Sequence, residues 1–227
     1  MVLSERNFHP WEGGEGRVTG LYVSLLVEKA RLDNLSGSFK TALDFLKRAQ
    51  SFPLNLGEGK LFGAQENNIF YYLGNAFTGL GAEIESRAAF EKAATGLSEP
   101  ASPMYYNDQP PEMILYQGLA RYKLNRPAEA QAIFNKLVDY GQCHLHDEIQ
   151  MDYFAVSLPS FLVFEEDLNL RNRIHCHYMI ALGYLGLALT SPGSAAATQS
   201  QEHFLHVFKL DANHLGAVQH HKLLAKE

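Results

Sequence analysis

Cysteine is scarce in this chain: Cys143 and Cys176 are the only two in 227 residues. That is too few for a disulfide framework, so packing must hold the fold. Long apolar runs are missing as well. The stretch from Val156 to Phe164 is short and interrupted by Pro159, far below the roughly eighteen apolar residues that mark a membrane span. Positive charge is also in deficit, with 19 Lys and Arg against 25 Asp and Glu and a net charge of −6. No basic stripe is left to neutralise phosphates, which argues against nucleic acid as a partner. No charged-then-apolar leader opens the sequence, and a reducing cytoplasm is the expected setting. Strand-like alternation is rare, whereas apolar residues recur at helical spacing along most of the chain, so the expected class is all-α. With 46% hydrophobic residues, the chain can bury a sizeable core, read here as one structural domain over residues 1–227.

Against this background two segments repeat. Pro10 to Gly20 and Pro53 to Gly63 share the pattern Pro-x3-Gly-Glu-Gly-[Arg/Lys]-aliphatic-x-Gly at an offset of 43 residues. Gly37, Gly81 and Asn125 follow one another at intervals of 44 and read as tight turns between helices. Five residues beyond each turn stands a small residue, Ala42, Ser86 or Ala130, and four further on a large one, Leu46, Phe90 or Phe134. Residues four apart share a helical face, where the small one admits a partner helix and the large one fills the gap. The pattern predicts helical hairpins over about 17–50, 67–94, 111–138 and 173–210, with insertions at about 95–110 and 141–172. Gly74 and Gly118 occupy matching close-packing positions in the first helices of two of them.

The pattern resembles the tetratricopeptide repeat, in which a small residue in the first helix, a turn glycine and an alanine in the second helix recur. Leu73-Gly74, Phe77, Gly81, Phe90 and Ala93 carry the match in the second hairpin, and Gly118, Ala130 and Phe134 in the third. The fourth carries Ala181, Tyr184 and the ending Leu210-Asp211-Ala212-Asn213, and its hairpin is stretched by the small-residue loop Thr190 to Ala197. The resemblance implies a right-handed αα superhelix. Its period exceeds the usual one of about 34 residues, so HEAT-like pairs remain an alternative. The segments His9–Tyr22, Asn55–Gly74, Ser98–Gly118 and Asp152–Gly183 look like the repeat region of large bacterial proteins in which a β-sandwich domain precedes the repeats. On that resemblance the chain is an excised repeat domain or a short relative.

Several groups invite chemistry. Gly-Glu-Gly-[Arg/Lys] lacks the strand context of a dinucleotide loop and the Gly-Lys-[Ser/Thr] of a P-loop. The expected role is structural: glycines at positive φ where a helix begins, with Glu15 and Glu58 accepting backbone N–H groups near the N-terminus of the following helix. Cys143, His144, His146, His175, Cys176 and His177 include metal-ligand types. However, His175, Cys176 and His177 point about 100° apart on a helix, so no metal or cofactor is expected. His203 and His206 share a face without a third ligand. Asp108, Glu112 and Asp152 are the carboxylates to watch for sugar chemistry, which needs two facing acids.

The expected function is therefore non-catalytic: an interaction module that binds a peptide segment or a partner domain through a concave groove. Exposed groove positions are Arg31, Asn68, Tyr71, Asn75, Glu112, Tyr122, His175 and Tyr178. The aromatic and amide loop Tyr105, Tyr106, Asn107, Asp108 and Gln109 adds apolar faces and directional hydrogen-bonding groups. The alternative is an accessory domain of a carbohydrate-processing protein. The apolar insertion from Asp152 to Phe164 is expected to cap the repeat stack or dock another domain.

Overall fold

The computed structural model describes residues 2–9, 16–61, 63–102, 109–149, 167–191, 193 and 195–224. Among these, all regular structure is helical. The described residues divide into two compact units, one up to Gly96 and one from Leu97 onward.

The first unit contains α1 (Val2–Glu5), α2 (Arg17–Leu35), α3 (Phe39–Ala49), α4 (Asn67–Gly79) and α5 (Glu83–Ala93), with a single 3-10 turn at Leu54–Leu56. Helices α2 and α3 pack as one hairpin and α4 and α5 as the next, with α4 also lying against α2 and α3. The second unit contains α6 (Pro111–Lys123), α7 (Pro127–His144), α8 (Leu168–Thr190), α9 (Ala196–Leu210) and α10 (Leu215–His221), closed by a 3-10 turn at Lys222–Leu224. Here α7 packs on both α6 and α8, and α8 packs on α6 and α9. The predicted hairpins lie close to these bounds. Helix α7 runs past the expected end at 138, and α8 begins before 173.

The turns closing the first three hairpins are the same motif. Gly37, Gly81 and Asn125 adopt φ of 76°, 72° and 62°. In each, the next residue's N–H reaches back to a carbonyl one turn inside the helix: Ser38 to Asp33 at 2.7 Å, Ala82 to Phe77 at 2.9 Å and Arg126 to Arg121 at 2.9 Å. This is the Schellman ending, which needs a left-handed residue and therefore selects glycine or asparagine. Pro111 and Pro127 start α6 and α7 at the first helical turn, where a missing N–H costs nothing.

Packing between hairpin helices depends on removed side chains. A Cβ on Gly74 would lie 2.5 Å from the Phe90 ring, and one on Gly118 or Gly186 would collide with Phe134. Forty-four residues before Gly74, Ala30 takes the small position, and it is fully buried together with Leu46. At the position matching Phe90 this hairpin carries the smaller, branched Leu46, which goes with the extra methyl group of Ala30. A second device pins the pairs. Ser86 Oγ donates to the Gly74 carbonyl at 3.0 Å, and Ser200 Oγ donates to the Ala181 carbonyl at 2.8 Å. Both serines are buried, where a hydroxyl needs such a partner.

The Gly-Glu-Gly segment works differently from the expectation. Gly16 and Gly57 do take positive φ, 75° and 78°. Glu58, however, caps α2, accepting the Gly16 N–H at 3.0 Å and the Thr19 hydroxyl at 3.0 Å. It serves the helix of the preceding hairpin, not the following α4, because the carboxylate meets the N-cap N–H of Gly16 and the Thr19 hydroxyl at the start of α2. Glu15 lies outside the described residues. Asn55 holds the N-terminal segment, donating to the Leu3 and Arg6 carbonyls at 2.8 Å each.

Gly118→Ala is expected to destabilise the chain by about 1–3 kcal/mol through overpacking against Phe134. Shrinking the ring in a Gly118→Ala/Phe134→Leu double variant should recover part of that loss, a coupling measurable by urea denaturation. Strictly additive losses would show that the two residues do not press on each other.

Candidate functional site

Tyr122, at 41% exposure, is the one exposed residue among the eight expected groove positions. Arg31 and Tyr178 are buried, and Asn68, Tyr71, Asn75, Glu112 and His175 are half-buried. The reason in the first unit is local pairing. Arg31 lies along α2 with Nε 2.9 Å from Glu28 Oε2 and Nη2 3.2 Å from Glu28 Oε1, so its stem packs while its charge is met one turn back. Tyr71 lays its ring against Tyr72 and Phe90, with centroids 5.3 and 5.9 Å away. Its hydroxyl is hydrogen-bonded to Asn75, and burial raises its pKa above the ordinary phenol value. Asn68 Oδ1 accepts the Ile69 N–H at 2.8 Å. Its neighbour Asn67, not anticipated, is buried and donates to the Ala93 and Thr95 carbonyls at 2.8 and 2.7 Å, closing the end of α5.

In the second unit the expected residues meet others that were not. Glu112, in the first turn of α6, is hydrogen-bonded to Tyr178 of α8. The Tyr178 hydroxyl also lies 3.1 Å from His220 Nδ1 of α10. His220 Nδ1 is 2.7 Å from the Gly216 carbonyl, which can only accept, so this nitrogen carries the proton. The one Nδ1 proton thus lies between the Gly216 carbonyl and the phenol oxygen, and the phenol donates its own hydrogen to Glu112, linking three side chains from three helices in a chain. Burial raises the pKa of Glu112, opposed by hydrogen bonds from its own backbone and from Tyr178. Tyr178 is raised further, by burial first and by the Glu112 charge second.

Two further rings frame this chain. His214 lies 4.6 Å from the Tyr178 ring and accepts the Ala217 N–H at 3.1 Å through Nδ1, capping α10 as a neutral imidazole. Tyr116 lies 5.7 Å from His220. A Cβ on Gly216 would strike the Tyr178 hydroxyl, so the glycine is what lets α10 close over it. His175 Nε2 donates to the Ala101 carbonyl at 2.8 Å, and burial pushes its pKa down to about 4. Nearby, Gln109 and Gln117 both donate to the Leu97 carbonyl, at 2.8 and 2.7 Å. Gln109, expected in a binding loop, is buried by this tether.

The cysteines and remaining histidines separate. Cys143 is exposed, whereas Cys176 is buried and its thiol is pushed up to about 12, chiefly by burial. His175 reaches Ala101, while His177 turns to His203 on α9, with Nδ1 atoms 3.0 Å apart. Among the described residues no group of three His, Cys, Asp or Glu side chains is placed to hold a metal ion. Among them, too, no helix is long and apolar enough to cross a membrane. Tyr105, Tyr106, Asn107, Asp108 and Asp152 lie outside the described residues.

His214 and His220 went unread because α10 itself is short and follows what reads as a repeat ending. Their one signal was a helix-capping position directly after Leu210-Asp211-Ala212-Asn213. No family model matches the chain. No solved structure matches it either.

Tyr178→Phe should cost about 1–3 kcal/mol, because it leaves buried polar groups on Glu112 and His220 without their shared hydroxyl. Glu112→Gln reports the sign of the carboxyl's contribution. The folded chain holds this proton more tightly than the unfolded chain does. Its stabilising share is therefore full below the ordinary carboxylate pKa and lost as pH rises through the raised folded value. Relative to wild type, the Glu112→Gln melting temperature should rise steadily from acid to neutral pH. A pH-independent difference would show that Glu112 ionises normally.

Proposed function

We propose that this chain is a non-catalytic interaction module built of tetratricopeptide-like hairpins, arranged as a right-handed superhelix, that holds an extended protein segment along its first helices. One observation carries the reading: the same hairpin, with the same left-handed turn and a small first-helix residue, recurs at intervals of 44 residues. Repeated hairpins generate extended surfaces whose successive first helices offer equivalent positions to a ligand. In the second unit α6 and α8 contribute the half-buried Glu112 and His175, held in place by hydrogen bonds to Tyr178 and to the Ala101 carbonyl. Tyr122, near the end of α6, keeps its ring exposed. Amide, phenol and carboxylate groups of this kind partner the backbone of an extended peptide. The partner on this reading is a peptide or a neighbouring domain, including a β-sandwich domain of the sort that precedes such repeats, in a cytoplasmic setting.

Selection of a displayed random-peptide library against the purified chain tests this. Enriched peptides should bind in fluorescence polarisation, and Tyr122→Ala should weaken them roughly tenfold or more, about 1.4 kcal/mol, at unchanged melting temperature. An empty selection, together with an oligosaccharide that raises the melting temperature, would replace this reading with the carbohydrate-accessory one.

A further inference from the structure

Three imidazoles meet between α8 and α9. His177 Nδ1 lies 3.0 Å from His203 Nδ1, and the His177 ring stacks on His206 with centroids 4.7 Å apart and planes 8° from parallel. His203 and His206 stand one turn apart on α9, with ring centroids separated by 6.0 Å. A hydrogen bond between two Nδ1 atoms exists only while one carries a proton and the other does not. Protonating the acceptor sets two N–H groups, and two like charges where both rings are charged, against each other at contact distance. The geometry is therefore stable with neutral rings and repulsive with charged ones.

The surroundings reinforce this bias. Burial is the leading cause holding His177 down to about 4, followed by His203, His206, His146 beyond α7 and Arg173 on α8. His203 is lowered by burial and by His206, and Glu202 on α9 acts the other way. The Tyr184 ring of α8 lies 6.3 Å from His203. Arg173 on one helix and Glu202 on the other are thus the cation and the carboxylate beside a pair that must stay neutral to remain bonded.

We propose that His177, His203 and His206 form an acid-sensitive clasp, closed at neutral pH, that loosens α9 from α8 when the rings become charged. The folded state binds protons on His177 and His203 less tightly than the unfolded chain does. Its stabilising share is full above the ordinary histidine range and is lost as pH falls toward the depressed folded value. The opening is local, since Phe204, Val207 and Ser200 of α9 remain buried in the core. Its consequence lies one element further on, because α9 leads directly into α10, whose His214 and His220 pack on Tyr178. Acid thereby reaches the candidate site through the backbone. That consequence rests on the proposed binding function, whereas the clasp itself does not.

Ligand-free measurements test the clasp. Ring-nitrogen NMR titration of the wild-type chain should show His177 and His203 titrating as a coupled pair, both with proton affinity below an ordinary histidine and His177 at least about tenfold below it. Independent titration of both at the ordinary value would overturn the proposal. Hydrogen exchange, corrected for intrinsic rates, should show α8 and α9 amides losing protection about tenfold between about pH 7.5 and pH 5. His177→Gln, which keeps a hydrogen-bonding group without a titrating ring, should reduce that loss to within about twofold. His175→Gln removes another depressed histidine, one that contacts Ala101 and not α9, and should leave the loss in the α9 amides unchanged. If His175→Gln abolishes the pH dependence and His177→Gln does not, the clasp is wrong. Should His177→Gln fail to fold, the wild-type titration decides alone.

Discussion

The packing of a phenylalanine ring onto a bare helix backbone is the contact on which the second and third hairpins depend. Gly74 faces Phe90, and both Gly118 and Gly186 face Phe134, at separations where a Cβ has no room. Helices without such a position must stand further apart, and the ring then has no backbone to cover. The Phe134 ring of α7 meets both α6 at Gly118 and α8 at Gly186, so one side chain organises three helices of the second unit. The same close approach makes the Ser86 and Ser200 hydroxyls useful. Only a backbone carbonyl brought this near can accept from a short side chain on the facing helix.

Once the helices are placed, the polar residues on their packed faces have to be satisfied internally. The second unit does this with hydrogen-bond networks. Glu112, Tyr178 and His220 form one, and the amides of Gln109 and Gln117 converging on the Leu97 carbonyl form another. A half-buried carboxylate answered by a phenol rather than by a cation is costly to ionise, which is why Glu112 is raised. Burial acts in the opposite sense on the histidines, lowering His175, His177, His203 and His214. The second unit therefore collects titratable groups whose neutral forms are favoured, in contrast to the paired Arg31 and Glu28 of the first unit.

Much of the architecture was legible because it is local. A left-handed turn selects Gly37, Gly81 or Asn125 from within its own six residues, and a small-to-large pair four apart marks a packed face whatever surrounds it. These are short-range rules, and their repetition at a fixed interval made them easy to see. The candidate site was less legible. Arg31 and Tyr178 read as exposed positions from their place in the repeat, yet Arg31 is covered along α2 and Tyr178 is covered by α10. That last helix follows what looks like the end of the pattern, so nothing in the repeat announced it.

What the sequence by itself determined was the helical class, the hairpin turns and the residues that let helices touch, because backbone conformation and face periodicity are encoded within a turn or two. The tertiary structure alone decided that Glu58 caps a helix 42 residues behind it, that Tyr178 bridges Glu112 and His220, and that His177 meets His203. Each of those contacts joins side chains that are distant in sequence, and their hydrogen bonds and proton affinities exist only after packing has removed water and fixed the distance.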